Sequence, residues 1–217
     1  MKIITRILIT SFIAWSTFAE KLIADPFSNV NLRAGLISAL QQHPLILDFY
    51  SENDYELIWF GNNALARQRR AELVNSLQSA SFHGLPGKKY QVNSLLSKLS
   101  TSDSLFEIGL LEGLFMIAFT EYASDLDTGV LIPSEVDSDI VRHIHDKDTE
   151  FYIQGLLSRN PYDYFRSLGP QSSEYARLLV EYQKLSEIIR NGGWSNIATD
   201  RILRFGDSGD DVVAIRN

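Results

Sequence analysis

The chain has no cysteine. That excludes disulfides, a thiol nucleophile and thiolate metal sites. It leaves the redox compartment open, because an exported protein can manage without disulfides. Positive charge is also scarce: 20 Lys and Arg stand against 27 Asp and Glu, a formal charge of -7. Such a surface repels phosphate backbones, so no nucleic-acid partner is expected. Arg67, Arg69 and Arg70 lie beside Glu72 and read as a solvated helix face rather than a basic patch. No glycine-rich phosphate loop occurs, since Gly192-Gly193 follows a helix instead of opening one. Strand patterns are weak throughout, and neither an internal repeat nor a low-complexity tract is present. What remains is an ordinary globular composition, 45% hydrophobic and 22% charged. At 217 residues it suffices for one sizeable domain, or one domain plus a small module.

The first residues point to export. Lys2 and Arg6 form a basic start, residues 7–18 are apolar apart from small hydroxyls, and Thr17-Phe18-Ala19 offers small residues where a signal peptidase reads. The apolar stretch is short for a permanent membrane helix. A cleaved signal peptide over residues 1–19 is expected; an uncleaved anchor leaves the same domain in the same compartment. Removing Lys2 and Arg6 takes the charge from -7 to -9, since -7 - 2 = -9.

Apolar spacing predicts a mainly α fold. Residues 31–43 form a short helix carrying Leu32, Leu36, Ile37 and Leu40 on one face, ended by Pro44. Residues 45–60 are rich in aromatics and fit either a short strand or a packed turn and helix. Residues 63–81 form a helix buried along Leu65, Leu73, Val74 and Leu77, and residues 83–87 a turn built on Gly84, Pro86 and Gly87. A short helix follows over 90–99. Residues 104–124 are apolar nearly all round, which marks a core helix. Ser104 and Glu107 make a capping box at its start, and Glu107, Glu112 and Glu121 argue against a membrane span. Residues 125–139 read as a loop and 148–158 as a helix. Pro170 is placed in the first turn of a long helix with Tyr175, Leu178, Tyr182 and Leu185 as its packed stripe, stopped by Gly192-Gly193.

Candidate chemistry is thin. His143 and His145, with Asp146 and Asp148, are the one cluster resembling a zinc site, but a third ligand and a second-shell partner are not evident. His43 and His83 sit beside Pro44 and Gly84 and read as turn residues. Asp125 and Asp127 beside Gly129 lack the long oxygen pattern of a calcium loop. Ser172 and Ser173 have no nucleophile-elbow context. No catalytic, metal or cofactor-binding residue is therefore assigned, and no cofactor is expected. Trp59 and Trp194 suit sugar stacking, but packing is the simpler reading for both.

Three stretches together resemble the helical scaffold region of large periplasmic L,D-transpeptidases. The first is Phe49-Tyr50 through Trp59, then Ala80-Ser81-Phe82-His83-Gly84-Leu85 and Tyr90. The second is Ala-Ser-Asp-Leu-Asp-Thr-Gly-Val-Leu-Ile-Pro over residues 123–133. The third is Tyr175, Leu178, Tyr182 and Leu185 followed by Gly192-Gly193-Trp194. Residues 203–216, with Gly206-Asp207-Ser208-Gly209, look like the opening of a peptidoglycan-binding-like module. There Gly206 and Gly209 permit a tight turn, and Asp210 or Asp211 caps the helix that Val212, Val213 and Ile215 begin.

The resemblance implies a signal peptide at 1–19, a helical scaffold domain at 20–191 with a long C-terminal helix, a linker at 192–204 and the start of a truncated helical module at 205–217. In such enzymes a cysteine in a later domain attacks the donor stem peptide at diaminopimelate and forms 3-3 crosslinks. No catalytic role carries over to a chain without cysteine. The implied role is a periplasmic, non-catalytic scaffold for peptidoglycan crosslinking, with peptidoglycan and the absent catalytic domain as partners and the membrane touched only by an uncleaved signal segment. The alternatives are a free-standing peptidoglycan-associated binding protein and an unrelated helical interaction protein.

Overall fold

The first described helix, α1 (Pro26–Leu40), begins five residues before the apolar face seen in the sequence and buries Leu32, Leu36 and Leu40. The computed structural model describes residues 26–131, 133–137, 139, 147–194 and 202–216. The expected signal segment and the His143, His145 and Asp146 cluster lie outside them. Every regular element among the described residues is helical, in agreement with the predicted fold class. The chain divides into two compact units, 1–171 and 172–217.

In the first unit Pro44 opens a second helix rather than merely closing the first. α2 (Pro44–Glu52) has Pro44 at its first position, where the missing N–H costs nothing. It buries Ile46, Phe49 and Tyr50. The aromatic stretch contains no strand: after α2 the chain turns through Asp54 and Tyr55, both at positive φ (52° and 59°), into an irregular segment at residues 57–60. Asn63 then caps α3 (Ala64–Gln78) through its side chain, which accepts from the Ala66 N–H at 2.7 Å. Leu73 and Leu77 are buried as predicted, but Leu65 is exposed and Arg69 and Arg70 are buried in its place. The solvated reading of these two arginines is therefore corrected. Short 3-10 turns at Ala80–His83 and Gly87–Tyr90 lead into α4 (Val92–Thr101).

The core helix is α5 (Leu105–Thr128), with both halves of the Ser104–Glu107 capping box in place. It runs four residues past the predicted end, so Asp125 and Asp127 are helical rather than part of a loop. Residues on most sides of it are buried, among them Leu111, Glu112, Phe115, Met116, Phe119 and Tyr122, while the stripe through Phe106, Leu110, Ile117 and Glu121 is left partly open. Its partner is α1, and the two backbones touch. A Cβ on Gly35 would lie 1.9 Å from the Phe106 carbonyl oxygen, and one on Gly109 the same distance from that of Leu32. Gly113 abuts Ala39 and Leu40 one turn further on. Small residues four apart on each helix allow this approach, which lets Cα–H groups meet facing carbonyls.

A single turn, α6 (Pro133–Val136), precedes α7 (Thr149–Ser158), capped by Asp148, and α8 (Pro161–Ser167), capped by Asn160. Gly155 leaves room for the Tyr164 ring, which packs directly against it.

The second unit holds α9 (Ser173–Arg190) and α10 (Asp210–Arg216). Ser172 is the N-cap of α9, so Pro170 precedes the helix instead of sitting in its first turn. The helix stops as predicted. The Gly193 N–H bonds the Ile188 carbonyl at 2.9 Å and the Gly192 N–H bonds that of Ile189 at 3.1 Å, with both glycines at positive φ. This is a Schellman ending. The predicted packed stripe is not buried: no residue of α9 is, and Leu178 is 67% exposed. Gly206 and Gly209 both take positive φ, as the tight turn requires, and Asp207 accepts the Arg204 N–H at 2.7 Å. Asp210 and Asp211 lie in the first turn of α10, not at its cap, where they face the positive end of the helix dipole.

Candidate functional site

The polar centre of the first unit is Glu112, fully buried on α5. Its Oε1 accepts the Tyr50 hydroxyl at 2.6 Å and the Ile58 N–H at 2.7 Å, and its Oε2 accepts the Phe60 N–H at 2.9 Å. The Trp59 N–H is shared between both oxygens at 3.1 Å. Three successive amides thus close on one carboxylate, and the segment at 57–60 needs no ladder of its own. Arg69 and Arg70 secure the other side of the same peptides. Arg69 Nη1 donates to the Ile58 carbonyl at 3.3 Å, and Arg70 Nη1 donates to that of Trp59.

Burial pushes the Glu112 carboxyl above its usual range, against the pull of the Tyr50 and backbone donors. Burial likewise lowers the Arg70 guanidinium to about 10, with Glu112 opposing. The Tyr50 hydroxyl is driven well up by burial and then by Glu112. The knot is enclosed, and the Glu112 oxygens and the Arg69 and Arg70 Nη1 groups are spent within it, while the Arg69 Nε has no partner among the described residues. Its work is to hold Trp59, fully buried against Phe115 and Phe119, in place. Trp59 is therefore a packing residue, as read, whereas Trp194 is 68% exposed.

The last turn of α5 carries two matched clasps. Asp125 accepts the Tyr90 hydroxyl at 2.8 Å and pairs with Lys89 at 2.5 Å. Asp127 accepts the Tyr152 hydroxyl at 3.0 Å and pairs with Lys147 at 2.9 Å. Each of these two carboxylates, which lack the oxygen pattern of a calcium loop, is committed to a lysine and a tyrosine. Desolvation, then the aspartate bond, raises both tyrosines, so their hydroxyls stay protonated and serve as donors. Burial also lifts Tyr164 to about 12. None is poised as a base near neutral pH.

Two open grooves flank this turn. One, of about 430 Å³, lies beside Asp125 and includes His43 and Glu121. The other, of about 790 Å³, lies beside Asp127 and runs between α7 and the end of α8. Each falls in the size range of small-ligand sites.

Other sequence candidates are dispersed. Asp148 caps α7, its carboxylate accepting the Phe151 N–H at 2.8 Å. Ser172 caps α9, and the Ser173 hydroxyl donates to Glu174 at 3.1 Å. His83 ends a 3-10 turn with its pKa lowered by burial, and His43 stands at the N-cap of α2 without a side-chain cap bond. Among the described residues, no group of three or more His, Cys, Asp or Glu is placed to hold a metal, and no helix is long and apolar enough to cross a membrane.

No curated protein and no solved structure matches the chain. A family model described as the Scaffold domain matches residues 44–181, from the start of α2 to the middle of α9. That span is well over half of the 217 residues, and the chain belongs to the Scaffold domain family.

Proposed function

We propose that the chain is the exported, non-catalytic scaffold portion of a murein L,D-transpeptidase, which holds a catalytic domain close to peptidoglycan while that domain forms 3-3 crosslinks. The observation that carries this reading is the Scaffold-domain match over residues 44–181. It encloses two of the three stretches that resemble such enzymes and the start of the third at Tyr175 and Leu178. The basic and apolar start of the chain supports delivery to the periplasm. The lack of cysteine supports a non-catalytic role for this chain in such acyl transfer, which needs a thiolate nucleophile. In this role the Glu112 knot and the α1–α5 contact supply rigidity, and the open grooves supply contact surface.

Co-sedimentation of the purified chain with peptidoglycan sacculi tests the reading. The expected result is protein in the pellet, released when the sacculi are digested with a muramidase. Protein that stays in the supernatant refutes wall association. Mass spectrometry of muropeptides incubated with the chain tests the non-catalytic part. Dimers joined through diaminopimelate, above a no-protein control, overturn it.

A further inference from the structure

The larger groove carries its polar groups in a graded order. Glu150, Gln154 and Ser158 are one turn apart on one face of α7, and Arg159 follows at its C-terminal end. All four line the groove, as do Leu168 and Gly169. The other charges there are committed: Lys147 to Asp127, and Asp148 to the cap of α7. Among the described residues Glu150 has no ionic partner, and Arg159 has only the Tyr164 ring, 5.8 Å from its guanidinium carbon. The ring sits against Gly155 and limits the freedom that Arg159 loses on binding. From Glu150 to Arg159 is nine residues of helix, about 14 Å. An extended peptide of four residues spans about 13–14 Å.

We infer that this groove binds a short zwitterionic peptide, with Glu150 receiving an amine, Gln154 a backbone amide and Arg159 a carboxylate. The inference rests on the proposed function in naming the peptide as a murein stem, which offers the free amine of diaminopimelate and several carboxylates. Two observations favour a peptide over the other components of the wall. The chain's charge of -7 opposes a purely anionic polymer more strongly than a peptide whose carboxylates are partly offset by an amine. The exposed Phe151 ring, which a sugar would stack on, is already covered by the Lys147 ammonium at 4.9 Å. The Arg159 fork suits a bidentate carboxylate contact.

The test is an NMR titration of the 15N-labelled chain with synthetic L-Ala-γ-D-Glu-diaminopimelate-D-Ala. Saturable shifts confined to residues 150–159 and 167–169 are expected. Arg159→Gln and Glu150→Gln, both exposed and checked for an unchanged amide spectrum, each weaken binding about tenfold. With the L-Ala amine already acetylated in every titration, acetylating the diaminopimelate amine as well reproduces the Glu150→Gln loss. Absent shifts, or shifts that both variants leave alone, overturn the inference. So do equal shifts with the peptide-free disaccharide. If sacculi pellet the chain but the peptide does not bind, the groove assignment fails and the proposed function stands. If the peptide binds but sacculi do not pellet the chain, the groove stands as a peptide site and the murein assignment fails.

Discussion

Helices α5 and α9 look alike in the sequence and are opposites in the structure. Both begin at a serine cap and both carry a dense run of leucine, isoleucine and aromatics. α5 is buried on several sides; α9 has no buried residue. The difference lies in what each apolar run is matched to. α5 meets α1 through glycines that bring backbone against backbone, and it carries a carboxylate that gathers Tyr50 and three distant amides. α9 carries charged residues between its apolar positions, bridged along its own surface by Glu174–Arg177 at 3.0 Å and Glu181–Lys184 at 2.7 Å. An apolar stripe gives a helix a face; buried position comes from complementary groups elsewhere in the chain.

The sharpest way to break this comparison is to empty the centre of α5. Glu112→Ala leaves the Tyr50 hydroxyl and three amides without their acceptor and two arginines without the nearby carboxylate, and a loss of about 3–5 kcal/mol is expected. Urea denaturation followed by circular dichroism reads it, and a loss below about 1 kcal/mol contradicts the role assigned to the knot. Next in size is Gly109→Ala, whose methyl group would strike the Leu32 carbonyl. Overpacking of this kind costs about 1–3 kcal/mol, seen as a lowered midpoint in the same melt.

The caps give a smaller, paired contrast. Ser104→Ala removes half of a capping box and costs about 1 kcal/mol of global stability. Ser172→Ala deletes the same kind of bond, yet leaves the first unit's melting unchanged and speeds hydrogen exchange only in the first turn of α9. Smallest of all is Leu185→Ser. On a helix without buried residues it shifts stability by no more than about 0.5 kcal/mol, whereas a cost of 2 kcal/mol or more, of the order of a core truncation, erases the contrast.

Acidity sharpens the same comparison. The Glu112 carboxyl titrates above its free value in the fold, so its contribution is complete below the ordinary carboxylate pKa and is lost as pH rises through the raised one. Tyr50, Arg69 and Arg70 face it and moderate the loss. Glu174, at the start of α9, is lowered by its own backbone N–H and Ser173, so its contribution is present above the free value and lost as pH falls. Stability measured between pH 4 and 8, wild type minus Glu112→Gln, should decline with rising pH; a flat difference contradicts the assignment.

Much of the fold was legible because its signals are local. The Ser104–Glu107 box, the Asp148 start of α7 and the Gly192-Gly193 stop each rest on residues a few positions apart. The knot was not, because its partners lie 52 to 62 residues from Glu112. Arg69 and Arg70 failed for the same reason: beside Arg67 and Glu72 they have the spacing of a wet face, and only the distant carbonyls of residues 58 and 59 explain their burial. One hint was available in Glu112 itself, which stands between Leu111 and Gly113 inside an otherwise apolar run. The grooves had no signal, since they arise where separate helices end. Leu178 and Tyr182 misled in the opposite direction, because helical spacing is identical for a buried stripe and an open one.

The distance between Glu112 and its amides also sets a clock. The segment at 57–60 cannot close until a residue 54 positions later exists to receive it. At roughly 5–20 residues per second, ribosomal synthesis delivers that residue about 3–11 s after Ile58. Throughout that interval Trp59 and its neighbours are a nascent aromatic segment without a receptor, the kind of sequence that chaperones grip. The same delay keeps the first helices from locking early, because α5, against which α1 packs, is not yet made.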